Sequence, residues 1–300
     1  MLWVSAPSIR EAPTSTPMPV PLRFRLAPLD DLTIDDRSSF SGVAVYGRLE
    51  EIVRRGVHPF RIPEDRRTAS WDRALFLNLT YWTAGDGADV LCDDHIPADV
   101  VAHVAWHEVV RGELARRGAA ASPPPAATGP SPPSVAALFL AESIASAFDL
   151  YLVGRLLPNA PECDFVTTQV PLMAECAGDA GMAEPVFSAM LEAVVREPER
   201  AFEDLRALLF DAAMALVACP GVAEAQAVLE GFADRRFAPL LHHYQLSNWI
   251  LYARAYGDRA PGRDAVAAEL DQALRQAPVA LDWLDLHLVE AALTAARTSH

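Results

Sequence analysis

Two histidines in the segment DDHIPADVVAHVAWHEVVRGELARRG are spaced for metal binding. His103 and His107 are four residues apart, and on a helix this spacing places both imidazoles on one face, one turn apart, where they can bind a single metal ion. The same face continues through Val100, Val110 and Leu114, so the histidines lie on the apolar stripe of the helix. Buried imidazoles need partners, because an unsatisfied polar group in the interior costs about 1–3 kcal/mol.

The next apolar segment of the chain offers such partners. Between Ser134 and Gly154 the only charged residues are Glu142 and Asp149, and together with Ser146 they form one polar row at spacings of four and three. Buried carboxylates need a cation, which can be an arginine or a metal. Packing this row against the histidines would place both imidazoles and Glu142 on one metal. Asp149 or Ser146 would then hold an imidazole by a hydrogen bond.

The order of these parts resembles the gluzincin branch of zinc metallopeptidases, in which an edge strand precedes a helix with two histidines at i and i+4, and a later helix brings a glutamate. The resemblance covers about residues 75–157. It implies a zincin-like fold, Zn²⁺ as the cofactor, and His103, His107 and Glu142 as the zinc ligands. The family places a general-base glutamate directly after the first histidine, and here that position is Val104.

No other residue is predicted to take the role of the missing base. Glu108 follows the second histidine but lies about 100° round the helix from it, on the polar flank with Arg111. If the chain is an enzyme, it is a metal-dependent hydrolase of altered or lost activity. The alternative is a non-enzymatic helical interaction or scaffold protein, whose partner is another protein and whose histidine and glutamate rows are structural.

The first half of the chain mixes strand and helix patterns. Residues 20–28 alternate apolar and basic side chains, which predicts a strand, and a helix is expected within 44–55. Residues 75–82 and 88–92 predict two strands joined by a hairpin turn at TAGDG. With the two helices described below, residues 20–160 are expected to form an α+β domain, preceded by a disordered or draped arm, 1–19.

Two long helices are expected to carry the candidate site. Pro97 begins one that runs to about Arg117 and is closed by Gly118, and a second runs over residues 135–157. Between them, the Pro-rich residues 119–134 predict a surface loop. The second helix is long enough to cross a bilayer, but its two acidic residues favour a buried core helix over a membrane span.

The second half of the chain, residues 161–300, is predicted to be an all-α bundle, with the boundary falling within 158–183. The expected helices are 185–197, 199–218, 222–232, 236–256, 263–276 and 279–297. The fold class expected for the whole chain is therefore mainly α with a small β portion.

The net charge and composition of the chain limit the partners, the chemistry and the location expected of it. The formal net charge is -15, which disfavours nucleic acid and anionic membrane surfaces. The chain contains no lysine, so a Schiff base, a phosphate-loop lysine and a lysine base are all excluded. Its four cysteines are scattered without a CxxC pair and the N-terminus lacks a continuous apolar core, so a cytoplasmic location is expected.

Overall fold

The computed structural model describes residues 23–56, 59–64, 89–121, 133–256 and 264–298. Within these ranges the chain forms eleven α-helices and five short strands. The predicted class, mainly α with a small β portion, is confirmed. The predicted arm and hairpin turn, and most of the Pro-rich loop, lie outside the described residues.

The β portion consists of two small sheets. In the first, β1 (Phe24–Ala27) pairs antiparallel with β3 (Phe60–Pro63), and β3 pairs parallel with β4 (Asp89–Val90). In the second, β2 (Thr33–Asp35) pairs parallel with β5 (His95–Pro97). Since β5 leads directly into the helix that carries the two histidines, this second sheet fixes the start of that helix.

The helices account for most of the described chain. In order they are α1 Tyr46–Arg55, α2 Ala98–Ala121, α3 Val135–Leu156, α4 Asp164–Asp179, α5 Glu184–Arg196, α6 Pro198–Val217, α7 Val222–Glu230, α8 Leu246–Tyr256, α9 Ala265–Gln276, α10 Ala280–Leu284 and α11 Glu290–Thr298, with a π-helical turn, Asp285–Val289, between α10 and α11.

Helix α3 is the centre of the packing. Nearly all of its residues are buried, and it packs against α2 on one side and α6 on another. Its close approach to the start of α6 depends on Gly154, where a Cβ would lie 2.8 Å from both the Val194 carbonyl oxygen and the Pro198 Cβ. By length and composition α3 could cross a bilayer, and 89% of its most apolar window is buried inside the fold.

One continuous hydrophobic core joins the two halves of the chain. It extends from Ala27 next to the first sheet to Leu293 in the last helix, and includes residues of α1, α2, α3 and α6. The proposed division into residues 20–160 and 161–300 stays a prediction. The core does show that the site helices are held from both sides, which limits how far they can move apart.

Three helix boundaries differ from those expected. Helix α2 continues through Gly118 to Ala121, because that glycine keeps helical geometry and does not cap the helix. Helix α4 occupies part of the stretch left unassigned between the halves, despite Pro171 inside it. The helix predicted from residue 236 begins only at Leu246, since Gln245 has a positive φ of 50° that interrupts it.

Candidate metal centre

Helix α2 positions the two histidines at the edge of its buried face. Val101, Ala105 and Trp106 on this helix are completely buried, whereas His103 and His107 keep side-chain exposures of 31% and 21%. The apolar residues therefore anchor the helix in the core. The imidazoles lie beside that anchored face and remain reachable from outside it.

The imidazoles face each other at a distance that suits shared coordination. The two Nε2 atoms are 3.2 Å apart, and the ring centroids are 5.0 Å apart at an interplanar angle of 45°. Two nitrogens bound to one tetrahedral zinc at 2.0–2.1 Å are separated by about 3.3–3.4 Å. The same contact also allows one ring to donate an N–H to the other nitrogen, which requires that at least one imidazole be neutral.

Helix α3 brings the carboxylate to the same point. Its N-terminus is capped by Ser134, whose hydroxyl oxygen accepts a hydrogen bond from the Ala137 amide. Two turns later Glu142, which is 5% exposed, places Oε1 3.5 Å from His107 Nε2 and Oε2 3.9 Å from His103 Nε2. The one ligand atom that each residue offers lies within 4.8 Å of the other two.

The structure thus brings together the three residues predicted as metal ligands. Among the described residues this is the one group of three or more histidine, cysteine or acidic side chains with ligand atoms that close to one another. The donor set of two nitrogens and one oxygen has the composition of catalytic zinc sites, which leave a fourth position open. That His103, His107 and Glu142 bind a metal stays a prediction.

Ser146 is buried on α3 and Asp149 is half-buried. Asp149 is seven residues from Glu142, about 10 Å along the helix axis. That Asp149 or Ser146 holds an imidazole by a hydrogen bond stays a prediction.

The two residues that directly follow the histidines have different surroundings. Val104 is 6% exposed and belongs to the hydrophobic core. Glu108 forms an ion pair with Arg111, as its place on the polar flank predicted. That the candidate centre lacks a general base stays a prediction.

Three further histidines, His242, His243 and His287, do not belong to this group. His243 is half-buried, its Nε2 lies 3.2 Å from Gln169 Oε1, and burial lowers its pKa. His242 and His287 are exposed, and the latter packs its ring against Trp283. None of them joins a metal-binding group within the described residues.

One acidic residue near the site was missed by the sequence analysis. Asp99 lies one turn before His103, so that Asp99, His103 and His107 continue a single row at i, i+4 and i+8. Burial raises the pKa of Asp99 to about 6. The spacing of four residues before His103 was the signal in the sequence that could have identified it.

Comparison of the chain with protein-family models, with curated proteins and with solved structures finds no match. The fold and the residue geometry therefore carry the functional argument: a mainly helical protein with two histidines and a glutamate converging between two core helices.

Proposed function

We propose that the chain binds one divalent transition metal, with zinc as the preferred ion, through His103, His107 and Glu142. The convergence of the three side chains carries this proposal. The two Nε2 atoms are 3.2 Å apart, and Glu142 places Oε1 3.5 Å from His107 Nε2 and Oε2 3.9 Å from His103 Nε2. A tetrahedral zinc site requires separations of about 3.3 Å between its ligand atoms. One ligand atom from each residue lies within 4.8 Å of the other two, so modest side-chain shifts bring them onto a common ion.

The chemistry of the donors also favours zinc. Two imidazoles and one carboxylate suit a metal ion such as zinc, which is intermediate between hard and soft, whereas magnesium and calcium prefer sites made of oxygen ligands. Two neutral imidazoles and one carboxylate leave a net charge of +1 on a bound Zn²⁺. Such a centre polarises a carbonyl or activates water, which is the basis of metal-dependent hydrolysis.

We further propose that the chain is a zincin-like relative of metallopeptidases that lacks their usual base. A bound zinc would supply a Lewis acid, and the protein would hold it with the imidazoles of α2 and the carboxylate of α3. The core valine at position 104 and the Glu108–Arg111 ion pair support the absence of a base. Efficient peptide hydrolysis is therefore not expected of the unmodified chain.

Metal content of purified protein tests the proposal. After dialysis against zinc and removal of excess ion, the wild type should retain about one zinc per chain, and His103→Ala and Glu142→Gln should each lose it. His242→Ala, which removes an exposed histidine, is the matched control and should retain the metal. A folded wild type that holds no zinc, cobalt or nickel would refute the proposal.

One observation favours the alternative, a helical interaction protein. Helices α4 and α5 expose large apolar side chains, with Leu172 45% and Val186 56% exposed. A groove of about 450 Å³ lies along α5 and is lined in part by Leu157, Leu191 and Val195. A metal-free, fully folded chain that binds another protein through these apolar residues would support that function instead.

A further inference from the structure

Helix α5 is apolar on its outer side as well as on the side that packs into the core. Phe187, Met190 and Val194 face the core, with exposures of 7%, 8% and 0%. Elsewhere on the helix, Val186 is 56% exposed and Ala189 is exposed. A helix that is apolar all round is normally covered on every side. The outer side of α5 is therefore a candidate contact surface.

The groove of about 450 Å³ along α5 has an apolar lining and charged residues at one edge. Leu191 and Val195 of α5, with Leu157 at the end of α3, supply the apolar lining, and each of them is half-buried. Glu192 and Arg196 also line the groove, but they are exposed and lie further from the core. An apolar centre with a polar edge is the usual composition of a protein–protein interface.

The two charged residues at the edge of the groove balance each other. Arg196 Nη1 lies 4.0 Å from Glu192 Oε2, and the two side chains are 67% and 74% exposed. An ion pair this long and this exposed adds little to the stability of a single chain, so both groups are available to a partner. Since the chain has a net charge of -15, two copies repel each other except through a surface without net charge. The groove is such a surface.

Charge complementarity selects a second copy of this chain as the occupant of the groove. A two-fold dimer brings the same surface of both subunits together. Antiparallel α5 helices that cross at the level of residue 194 place Glu192 of each subunit at the level of Arg196 of the partner subunit. The symmetry repeats this contact, so both acids and both arginines gain a neighbour of opposite charge. A basic partner would meet the arginine as well as the acid, and an acidic partner would be repelled by the chain as a whole.

We propose that the chain forms a two-fold symmetric dimer through this groove, with Leu157, Leu191 and Val195 at the centre of the interface and reciprocal Glu192–Arg196 ion pairs at its edge. Ser188 also lines the groove, and its short side chain allows the two helix axes to approach to about 8–10 Å. The histidines and the glutamate of the candidate metal centre do not line the groove. The dimer and the metal centre can therefore be tested separately.

Sedimentation equilibrium over a series of protein concentrations tests the dimer. The wild type should dimerise with a Kd on the order of micromolar, as expected of a modest interface. Glu192→Arg and Arg196→Glu should each weaken the dimer by about tenfold or more, because each reversal places like charges opposite each other twice. An equimolar mixture of the two variants should dimerise again, since the two arginines of one chain then meet the two acids of the other.

A control and the metal content make the outcomes distinct. Glu269→Arg reverses an exposed acid on α9 that does not line the groove, and it should leave the Kd unchanged. Circular dichroism and zinc content should match the wild type in every variant, so a lost dimer is not mistaken for a lost fold or metal centre. A wild type that stays monomeric at high micromolar concentration would refute the dimer and leave the groove to a different partner. A dimer that neither reversal weakens, or a mixture that stays monomeric, would also overturn the proposal.

Discussion

Replacement of Val104 by glutamate tests whether a missing base keeps the candidate centre inactive. On an α-helix, position 104 lies about 100° from His103 and about 60° from His107, on the flank of the histidine face. Glu108 lies about 140° and 100° from the same two residues and is paired with Arg111. A carboxylate at position 104 is therefore better placed than Glu108 to take a proton from a metal-bound water.

The expected gain in hydrolysis rate is large enough to measure, and the expected loss of stability is small enough for the protein to remain folded. Restoring a general base is worth about 10²–10⁴ in rate, or about 3–5 kcal/mol of transition-state stabilisation. The substitution removes a buried valine, which costs about 1.5–3 kcal/mol of stability, and it places a carboxylate beside the core. A domain with about 5–15 kcal/mol of stability tolerates this loss, and a zinc ion next to the new carboxylate offsets part of it.

The assay compares zinc-loaded wild type, Val104→Glu and Val104→Gln on a mixed fluorogenic peptide library. We expect background rates from the wild type and from the glutamine variant, which has a similar shape but no basic oxygen. Zinc content and circular dichroism check that each variant is loaded and folded. Robust zinc-dependent proteolysis by the wild type, abolished by His107→Ala, would refute the reasoning. A folded, zinc-loaded Val104→Glu variant without any activity would also count against it.

Three further predictions concern stability and can be measured by urea unfolding. Gly154→Ala should destabilise the fold by about 1–3 kcal/mol, because the added Cβ would have no room next to α6. As its control, Gly112→Ala on α2 should stabilise the fold by about 0.5–1 kcal/mol, because the added Cβ would meet no neighbouring atom. Asp271→Asn should cost about 3–5 kcal/mol, since it leaves the fully buried Arg206 without its carboxylate partner. Asp99→Asn should stabilise the protein by up to about 3 kcal/mol at pH 7, because burial raises the pKa of this carboxyl to about 6, above about 3.9 in the unfolded chain. That gain should shrink between pH 6 and pH 4, where the native carboxyl becomes protonated; a gain that persists at pH 4 would contradict it.

The parts of the fold that could be predicted were those with strong local signals. Helix α3 was expected over residues 135–157 and is observed as Val135–Leu156, because its apolar run, its Ser134 cap and the following Pro158 all agree. The pairing of β2 with β5 could not be predicted. These strands have three residues each, and their parallel pairing joins segments about sixty residues apart, which no local pattern encodes.

Part of the candidate site could also be predicted from the sequence. The spacing of His103 and His107 and the isolation of Glu142 in an apolar helix were sufficient to expect that they meet. The role predicted for Asp149 and Ser146 stays a prediction. Asp99 was missed, because the row that it forms with His103 and His107 was followed only from the histidines onward.

Buried acids of this chain differ in how their charge is compensated. Glu113 forms ion pairs with Arg116 and Arg117, and these arginines hold the pKa of its carboxyl below the ordinary value. Asp99 has no ion pair with an arginine among the described residues, but it lies in the first turn of α2, where the backbone amides of Asp99 and Val100 donate to its carboxylate. Burial still raises the pKa of Asp99 to about 6, so the backbone amides stabilise this charge less than burial destabilises it. The pH dependence expected for Asp99→Asn therefore has no counterpart in a substitution of Glu113, whose charged form the native structure favours.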